Sequence, residues 1–296
     1  MTTPLYQPAR PPDAQGWTVD IDPASAGWTY SSLRVATLRP RQSVTFPTGE
    51  AEWIVLPLSG TYVVTCGDAT FELEGRESVF SRVTDFCYVP RDAVVTITSA
   101  SGGRVALPGA RASRVLPARY GAAEDVAVEL RGAGPASRQA NNFASPDGFE
   151  TDRLISVEVL TPGGNWSSYP PHKHDETRPG EAMLEEIYYF EINGGAPAGQ
   201  PGPGGYQRVY SRDPTRPIDV LAEVSTGDVV LIPHGYHGPT MACANYDLYF
   251  LNVLAGPASP RSMAFCDDPE HAWIRASWQA EKVDPRVPMT SAKGVA

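Results

Sequence analysis

Short runs of β-branched and apolar residues alternate with turn residues through residues 32–107. The clearest runs are SLRVATL, WIVLPL, TYVVTC and AVVTIT, and each is closed by glycine, proline, aspartate or serine. Regular short runs of this kind are typical of strands in a sandwich or barrel. A helix needs apolar residues at intervals of three and four, and only residues 122–130 approach that pattern. The pattern predicts an all-β fold.

A second set of apolar runs follows a stretch rich in small residues. Residues 131–150 contain few apolar side chains, and LISVEVL then opens the second set. We place the connection between two domains in this stretch and predict one domain over residues 1–135 and another over 136–296. Residues 52–60 resemble residues 186–194, and residues 86–90 resemble residues 229–233. The second set is thus a repeat of the first. The sequence therefore predicts two copies of one β-unit.

Composition excludes several classes of protein. The 296 residues carry a formal net charge of -10, so an acidic surface would repel nucleic acid. No segment approaches the ~20 apolar residues that cross a bilayer, and the N-terminus lacks the apolar core of a signal peptide. Four cysteines without a CxxC pair indicate free thiols. We expect a soluble cytoplasmic protein, and a homo-oligomer is compatible with the sequence.

All five histidines lie in the second half of the chain. His172 and His174 flank Lys173, and residues two apart on a strand project from the same face. A carboxylate follows at the start of LEEIYYF, and GDVVLIPHGYHG supplies another imidazole. Three imidazoles and one carboxylate suit zinc, manganese, iron or nickel and leave coordination positions open for substrate. This pattern indicates a catalytic metal site.

The repeat is used to choose between Glu185 and Glu186 as the carboxylate ligand. In the first copy Glu52 shares its face with Ile54, Leu56 and Leu58, the more aliphatic of the two faces. By this alignment Glu186 faces the interior of its unit, and Glu185 faces the other way. The first copy has no histidine, so we expect the metal in the second copy only.

Two histidines follow in GDVVLIPHGYHG. His234 lies in the turn beside Pro233, whereas His237 begins the next strand and is the better ligand. His271 has no partner nearby in the sequence and is left out. We predict a divalent metal, with zinc as the first expectation, held by His172, His174, Glu186 and His237.

These residues resemble the two motifs of the cupin superfamily, a small jelly-roll barrel with a central metal. The residues that carry the likeness are His172, His174, Glu186, Gly227, Pro233, Gly235 and His237. More closely, the runs YPPHKHD, LEEIYYFEI, GYQRVYS, GDVVLIPHGYHGP, YDLYFLNVLAG and DDPEHAWI resemble the 5-deoxy-glucuronate isomerase family of inositol catabolism, which is related to the 4-deoxy-5-keto-uronate isomerases. The sequence departs from the usual cupin motif by placing eleven residues between the second histidine and the glutamate. The resemblance implies a bicupin whose C-terminal barrel alone holds the metal.

The resemblance also implies a reaction. An isomerase of this family converts the aldehyde 5-deoxy-glucuronate into the ketone 5-dehydro-2-deoxy-gluconate by moving hydrogen between adjacent carbons. The hydrogen moves either as a proton carried by a base or as a metal-assisted hydride. Candidate bases are Glu185, Glu181, Asp175 and Lys173, although on a strand Lys173 faces away from the two flanking histidines.

A uronate substrate requires a fixed cation for its carboxylate. A bidentate arginine is the natural choice, and the candidates are Arg208, Arg178 and Arg138. Candidate donors to the sugar oxygens are Tyr188, Tyr206, Tyr236 and Tyr249. Two alternative functions use the same ligand set: a cupin iron dioxygenase, and a non-enzymatic sugar-binding bicupin.

Overall fold

The structure is a computed structural model that describes residues 4–194 and 204–295. Strands dominate it. The strands up to the middle of the chain are β1 (Tyr6–Gln7), β2 (Trp17–Ile21), β3 (Ser31–Leu38), β4 (Gln42–Pro47), β5 (Ala51–Cys66), β6 (Ala69–Arg76), β7 (Phe86–Val89), β8 (Val94–Ser99), β9 (Gly103–Arg111), β10 (Arg119–Gly121) and β11 (Ala127–Arg131).

The remaining strands continue to the C-terminus. They are β12 (Arg138–Ala144), β13 (Ile155–Thr161), β14 (Trp166–Ser167), β15 (His172–Lys173), β16 (Glu185–Gly194), β17 (Gly205–Tyr210), β18 (Asp219–Val224), β19 (Val229–Ile232), β20 (Tyr236–Ala242), β21 (Tyr246–Ala255), β22 (Cys266–Asp267), β23 (Thr290–Ser291) and β24 (Gly294–Val295). Helical structure in the described residues is limited to α1 (Pro23–Ala26), α2 (Ile274–Ser277) and the 3-10 turns Ala123–Asp125, Gly134–Ala136 and Trp278–Ala280. The predicted all-β fold is confirmed.

The segment with the most helix-like pattern contains no α-helix. Residues 123–125 form one 3-10 turn, and β11 follows directly. Successive side chains of β11, whose sequence is AVELR, point to alternate faces of the sheet. The strand pairs with β12, and Arg131 lies opposite Arg138. Sheet pairing therefore overrides the weak helical periodicity, as tertiary context commonly does.

The strands form three sheets and one small hairpin. One sheet has the order β1-β19-β16-β21-β13-β12-β11, and another has the order β18-β17-β20-β15-β22 with β14 beside β20. The third contains β10-β7-β5-β9-β3-β2 with β4, β6 and β8 attached, and β23 pairs with β24. Both β1 and β11 precede the expected boundary at residue 135 yet pair with strands of the second half, which binds the halves together.

Three large hydrophobic clusters form the interior of the described residues, and a small fourth cluster contains Ile155, Ala182, Leu184 and Leu254. The N-terminal cluster includes Trp53 and Val55, and the C-terminal cluster includes Tyr188 and Phe190. The shared cluster draws on both halves of the chain and includes Ile54, Leu56, Ile187, Tyr189 and Leu251. Alternate residues of β5 and of β16 thus face different clusters, as the period of two along a strand requires. Each half has its own interior, and the halves pack through a large apolar face.

The repeat in the sequence is displaced by one residue relative to the repeat in the structure. In the antiparallel strand pairs, Trp53 lies opposite Val89 and Glu186 lies opposite Ile232. Val89 and Ile232 are equivalent positions of the repeat. Trp53 therefore occupies the place of Glu186, and Glu52 occupies that of Glu185. The sequence alignment implies that Glu52 faces the interior of its own unit. This expectation is wrong, because the aliphatic residues on the same face of β5 as Glu52 pack in the shared cluster. A one-residue shift exchanges the two faces of a strand.

Two equivalent glutamates fasten the halves together. Glu52, which is fully buried, accepts hydrogen bonds from the backbone N–H groups of Asp152 at 2.7 Å, Arg153 at 2.6 Å and Leu154 at 2.8 Å. Glu185 accepts three from the backbone N–H groups of residues 29–31, at 2.7, 2.7 and 2.9 Å. Each half therefore holds a loop of the other with one carboxylate, and charged acceptors make the stronger hydrogen bonds.

The first prediction concerns this carboxylate. Glu52→Gln should lower the free energy of unfolding by about 2–3 kcal/mol, because an amide N–H₂ group would face buried donors that now bond to a carboxylate. The measurement is the urea midpoint followed by tryptophan fluorescence. Glu50→Gln is the matched control, since the Glu50 side chain forms an exposed ion pair with Arg111 whose loss should cost under about 0.5 kcal/mol. Equal midpoints for the two variants would contradict this role for Glu52.

Candidate metal centre

Strands from two sheets bring the predicted ligands together. His172 lies in β15 directly opposite His237 in β20, and His174 follows just after β15. Glu186 lies at the start of β16 in the seven-stranded sheet. The backbone N–H of Leu184 donates to the carbonyl oxygen of His174 at 2.8 Å, which holds the chain between ligand and strand in place. The long insertion after the second histidine therefore still returns the glutamate to the histidines.

Three of these side chains converge on one point. Oε2 of Glu186 lies 3.0 Å from Nε2 of His174 and 3.0 Å from Nε2 of His237. One ligand atom from each residue lies within 4.8 Å of the other two, and all three residues are buried. His172 adjoins them, with its ring centroid 4.4 Å from that of His237. The His174, Glu186 and His237 group could hold a metal ion.

The hydrogen bonding of His237 fits a metal ligand. Both of its ring nitrogens are buried without a hydrogen-bond partner, although Nε2 lies close to the Glu186 carboxylate. The angles at these two atoms therefore do not meet the requirements of a hydrogen bond. Buried polar atoms without a partner are costly and rare in proteins. A cation between the imidazoles and the carboxylate would satisfy Nε2, the nitrogen that faces Glu186, and imidazole with carboxylate is a donor set suited to zinc and its neighbours.

The charges in the site favour the ligand forms of Glu186 and His172 but not that of His174. Burial raises the pKa of Glu186, but His237 and His174 outweigh that effect and lower it to about 2. Burial lowers the pKa of His172 well below its usual value, with further lowering from His237 and His174. The Glu186 carboxylate is therefore ionised and His172 is neutral near pH 7, as metal coordination requires. For His174, burial lowers the pKa, yet the hydrogen bond that its Nε2 donates to Glu186 leaves the pKa raised overall.

His172, His174 and Glu186 line one cavity, and the fully buried His237 lies behind them. The polar wall of the cavity contains Arg131, Arg138, Ser168, Tyr188 and Asn252, and its apolar wall includes Leu184, Phe250, Met263 and Phe265. Arg131, Ser168 and Asn252 were not singled out from the sequence. They come from the expected linker, a loop and a distant strand, so no local motif marks them. Of the predicted substrate-binding residues, Arg138 and Tyr188 lie in this wall.

Tyr188 lies beside the ligands as a hydrogen-bond donor. Its hydroxyl is 2.9 Å from Oγ of Ser168, and its ring centroid is 6.0 Å from that of His237. Burial, and then the charge of Glu186, raise the pKa of Tyr188 well above its usual value. The hydroxyl therefore keeps its proton at neutral pH and can donate to an oxygen in the cavity.

The predicted bases lie outside the cavity lining. Nζ of Lys173 is 2.6 Å from Oδ1 of Asp175 and 2.8 Å from Oε1 of Glu181, and Arg178 pairs with Oε2 of Glu181 at 2.7 Å. Burial lowers the pKa of Lys173, but its two carboxylate partners raise it overall, which is the opposite of what a lysine base needs. Glu185 also lies elsewhere, with both carboxylate oxygens bonded to backbone amides of the first half.

The remaining candidates also lie away from the cavity lining. Arg208 forms an exposed ion pair with Asp219, and the Tyr206 hydroxyl donates to the exposed Glu223 at 3.1 Å. The ring of Tyr236 packs against Tyr210 with centroids 5.7 Å apart. The Tyr249 hydroxyl donates to the buried Glu158 at 2.9 Å, and Glu158 also pairs with Arg76. His234 is 3.1 Å from the Arg216 carbonyl oxygen, and His271 lies 6.4 Å from the ring of Tyr169.

Fold and site together define a class of protein. An all-β chain that gathers histidines and a glutamate in a cavity is cupin-like, and an oxalate decarboxylase from Lactobacillus farciminis shares the fold with a TM-score of 0.58 and 12% identity, over 87% of this chain and 88% of that one. The sequence pattern of the KduI/IolB family matches residues 5–274. The chain belongs to the KduI/IolB family.

Two relatives support this assignment. A 5-deoxy-glucuronate isomerase from Geobacillus kaustophilus (strain HTA426) is 39% identical over 282 residues, which cover 94% of this chain and 98% of that protein. The crystal structure of an IolB-like protein from Salmonella typhimurium LT2 superposes with a TM-score of 0.82 at 33% identity, covering 92% of this chain and 99% of that one. Within the described residues, every helix is too short or too polar to cross a bilayer.

The second prediction concerns Asp175, which joins the two ligand-bearing segments. Its Oδ1 pairs with Lys173, and its Oδ2 accepts a hydrogen bond at 2.9 Å from the N–H of Gly235, two residues before His237. Asp175→Asn should weaken zinc binding about 10–100-fold, as loss of an outer-shell partner commonly does. The measurement is competition with a chromophoric chelator on folded, metal-stripped protein.

The matched control is Glu176→Gln, which removes a half-exposed carboxylate 3.5 Å from the same lysine. Its zinc affinity should equal that of the unmodified protein, because screened surface pairs contribute little. Unchanged zinc affinity in Asp175→Asn would show that Asp175 does not position the ligands.

Proposed function

We propose that this protein is a metal-dependent aldose-ketose isomerase that converts 5-deoxy-glucuronate into 5-dehydro-2-deoxy-gluconate in myo-inositol degradation. The observation that carries the proposal is the convergence of His174, Glu186 and His237 at the cavity. The chain around them is 39% identical, over almost its whole length, to a protein named 5-deoxy-glucuronate isomerase. The substrate is accordingly a small uronate.

The proposed architecture is a bicupin. The first jelly-roll barrel would comprise residues 1–135 and the second residues 136–296, with the metal in the second barrel only. The separate N-terminal and C-terminal clusters support two barrel interiors. The presence of Trp53 in the position of Glu186 supports an N-terminal barrel without the ligand set, since an indole cannot replace a carboxylate ligand.

The proposed ligands are His172, His174, Glu186 and His237. The first expectation for the ion is zinc, with manganese, iron or nickel as alternatives. When bound, the ion would supply Lewis acidity to the carbonyl group and charge stabilisation to the neighbouring oxygens of the substrate. A homo-oligomer and a cytoplasmic location remain predictions, as does the absence of nucleic-acid and membrane partners.

The surrounding residues have distinct roles in this proposal. Tyr188 and Ser168 orient the sugar by donating to its oxygens, because the Tyr188 hydroxyl stays protonated. Phe250 and Phe265 keep water from the reacting carbons and strengthen the polar contacts in the cavity. The carboxylates of Glu185, Glu181 and Asp175 stabilise the fold, so we infer that none of them removes the carbon-bound hydrogen.

The third prediction tests the function itself. Purified protein should contain a stoichiometric divalent metal and should convert 5-deoxy-glucuronate into the ketose, as followed by NMR. His174→Ala should lose metal and at least about 100-fold in turnover, because the Lewis acid contributes several kcal/mol to charge stabilisation. Tyr246→Phe, whose hydroxyl lies outside the cavity lining, is the control for substitution of a ring residue.

Two results would contradict the proposal. One is turnover that persists in His174→Ala after exhaustive chelation. The other is oxygen uptake without ketose formation, which would favour the iron dioxygenase alternative.

Running the NMR assay in D₂O also separates the two hydrogen-transfer routes, because a proton carried by a base exchanges with solvent and a shifted hydride does not.

A further inference from the structure

Arg138 is a buried cation without an anionic partner. The residue is 8% exposed, and its Nη1 donates to the carbonyl oxygen of Ala136 at 3.0 Å. Its guanidinium carbon lies 5.7 Å from the ring centroid of Trp278, and no ion pair joins Arg138 to a carboxylate among residues 4–194 and 204–295. A buried charge is normally paired because its desolvation is costly. The uncompensated charge of Arg138 therefore indicates that an anion binds beside it.

A second arginine lies directly opposite Arg138 in the sheet. The register of β11 and β12 places Arg131 across from Arg138, and like charges in opposite positions destabilise an antiparallel pair. Arg131 forms an ion pair with Glu129, whose Oε2 is 2.8 Å from its Nη2, whereas Glu129 acts on Arg138 only at longer range and forms no ion pair with it. Burial, and then the charges of Arg131 and Arg275, lower the pKa of Arg138 to about 9, which leaves it cationic near pH 7. A bound anion would relieve both the repulsion and the burial cost.

Both arginines open onto the cavity that contains the metal ligands. The same wall contains Asn252, whose Oδ1 is also buried without a hydrogen-bond partner. The cavity thus offers a cationic group and a ligand cluster to one small molecule. This arrangement matches a molecule that carries a carboxylate as well as a carbonyl group. The other arginine candidates are unsuited, because Arg208 and Arg178 are already paired with carboxylates outside the lining.

We propose that Arg138, supported by Arg131, binds the carboxylate of the substrate and makes the site specific for uronates over neutral aldoses. The inference rests on the proposed function and adds to it the group that recognises the substrate. The planar guanidinium provides paired donors in the geometry of a carboxylate, and the low-polarity surroundings strengthen each contact. Trp278 restricts the guanidinium on one side, which keeps it oriented towards the cavity.

The fourth prediction uses D-glucuronate and D-glucose as binding probes and 5-deoxy-glucuronate as substrate. Unmodified protein loaded with zinc should bind D-glucuronate at least about 10-fold more tightly than D-glucose by calorimetry. Arg138→Gln should weaken D-glucuronate binding about 10–100-fold, as loss of charge-assisted hydrogen bonds predicts, and should raise KM more than it lowers kcat. Binding of D-glucose and the zinc content should not change.

Two other arginine variants make the test specific. Arg111→Gln removes a half-exposed arginine of the first half and should leave all values unchanged. Arg131→Gln should reduce D-glucuronate binding less than Arg138→Gln. If Arg138→Gln is folded and binds D-glucuronate as tightly as the unmodified protein, the proposal is wrong. It is equally wrong if the loss appears in Arg208→Gln instead.

The experiment separates this proposal from the proposed function. Binding of D-glucuronate that depends on Arg138, without conversion of 5-deoxy-glucuronate, would support the carboxylate site and refute the isomerase. Conversion of 5-deoxy-glucuronate with an unchanged KM in Arg138→Gln would support the isomerase and refute the carboxylate site. Should Arg138→Gln not fold, Arg138→Lys retains the charge without the paired donors, and its D-glucuronate affinity should fall about 10-fold. Unaltered affinity in Arg138→Lys and Arg131→Gln together would also overturn the proposal.

Discussion

The structure of the site depends on one buried carboxylate shared by two imidazoles. Glu186 reaches His174 and His237 from the opposite sheet, at 3.0 Å in both cases, and the three groups are buried. Without a cation between them, Nε2 of His237 lies against the carboxylate without a hydrogen-bond partner. One metal ion could be held by all three residues at once, because β15, β16 and β20 bring their ligand atoms within 4.8 Å of one another.

The two halves of the chain support this site through equivalent contacts. Glu52 and Glu185 occupy the same position in β5 and β16, and each binds backbone amides of the opposite half. The next residue along each strand points into the interior of its own half, where one strand carries Trp53 and the other carries Glu186. The repeated β-unit therefore provides the same scaffold twice, but Trp53 replaces Glu186 in the first copy, which also lacks the histidines of the candidate metal site.

Spacing along the sequence was sufficient to predict the all-β fold and to nominate the residues that cluster. His172 and His174 share a strand face by simple alternation, and the turn before His237 places it on a strand. The repeat was aligned one residue out of register, because an aliphatic face looks the same whether it packs inside a barrel or against the other half. Glu186 nevertheless lies in the cluster, because two errors cancel: Glu52 is equivalent to Glu185 and not to Glu186, and the face of Glu52 packs in the shared cluster and not in its own half.

Residues that act through contacts between distant segments could not be found in this way. The bases predicted from the sequence are charged residues near the ligands, but Lys173, Asp175 and Glu181 pair with one another outside the cavity lining. Arg131, in turn, lies in what resembles a linker, and only its pairing with Arg138 brings it to the cavity. Which charges remain uncompensated is a property of the packed structure and is invisible in local patterns.

Anomalous diffraction from zinc-loaded crystals, recorded on both sides of the zinc absorption edge, tests the central claim most directly. The account predicts one strong peak about 2.0–2.2 Å from the ring nitrogens of His174 and His237 and from a carboxylate oxygen of Glu186. A peak bound elsewhere in the chain, with these three side chains in direct contact and no ion between them, would contradict it.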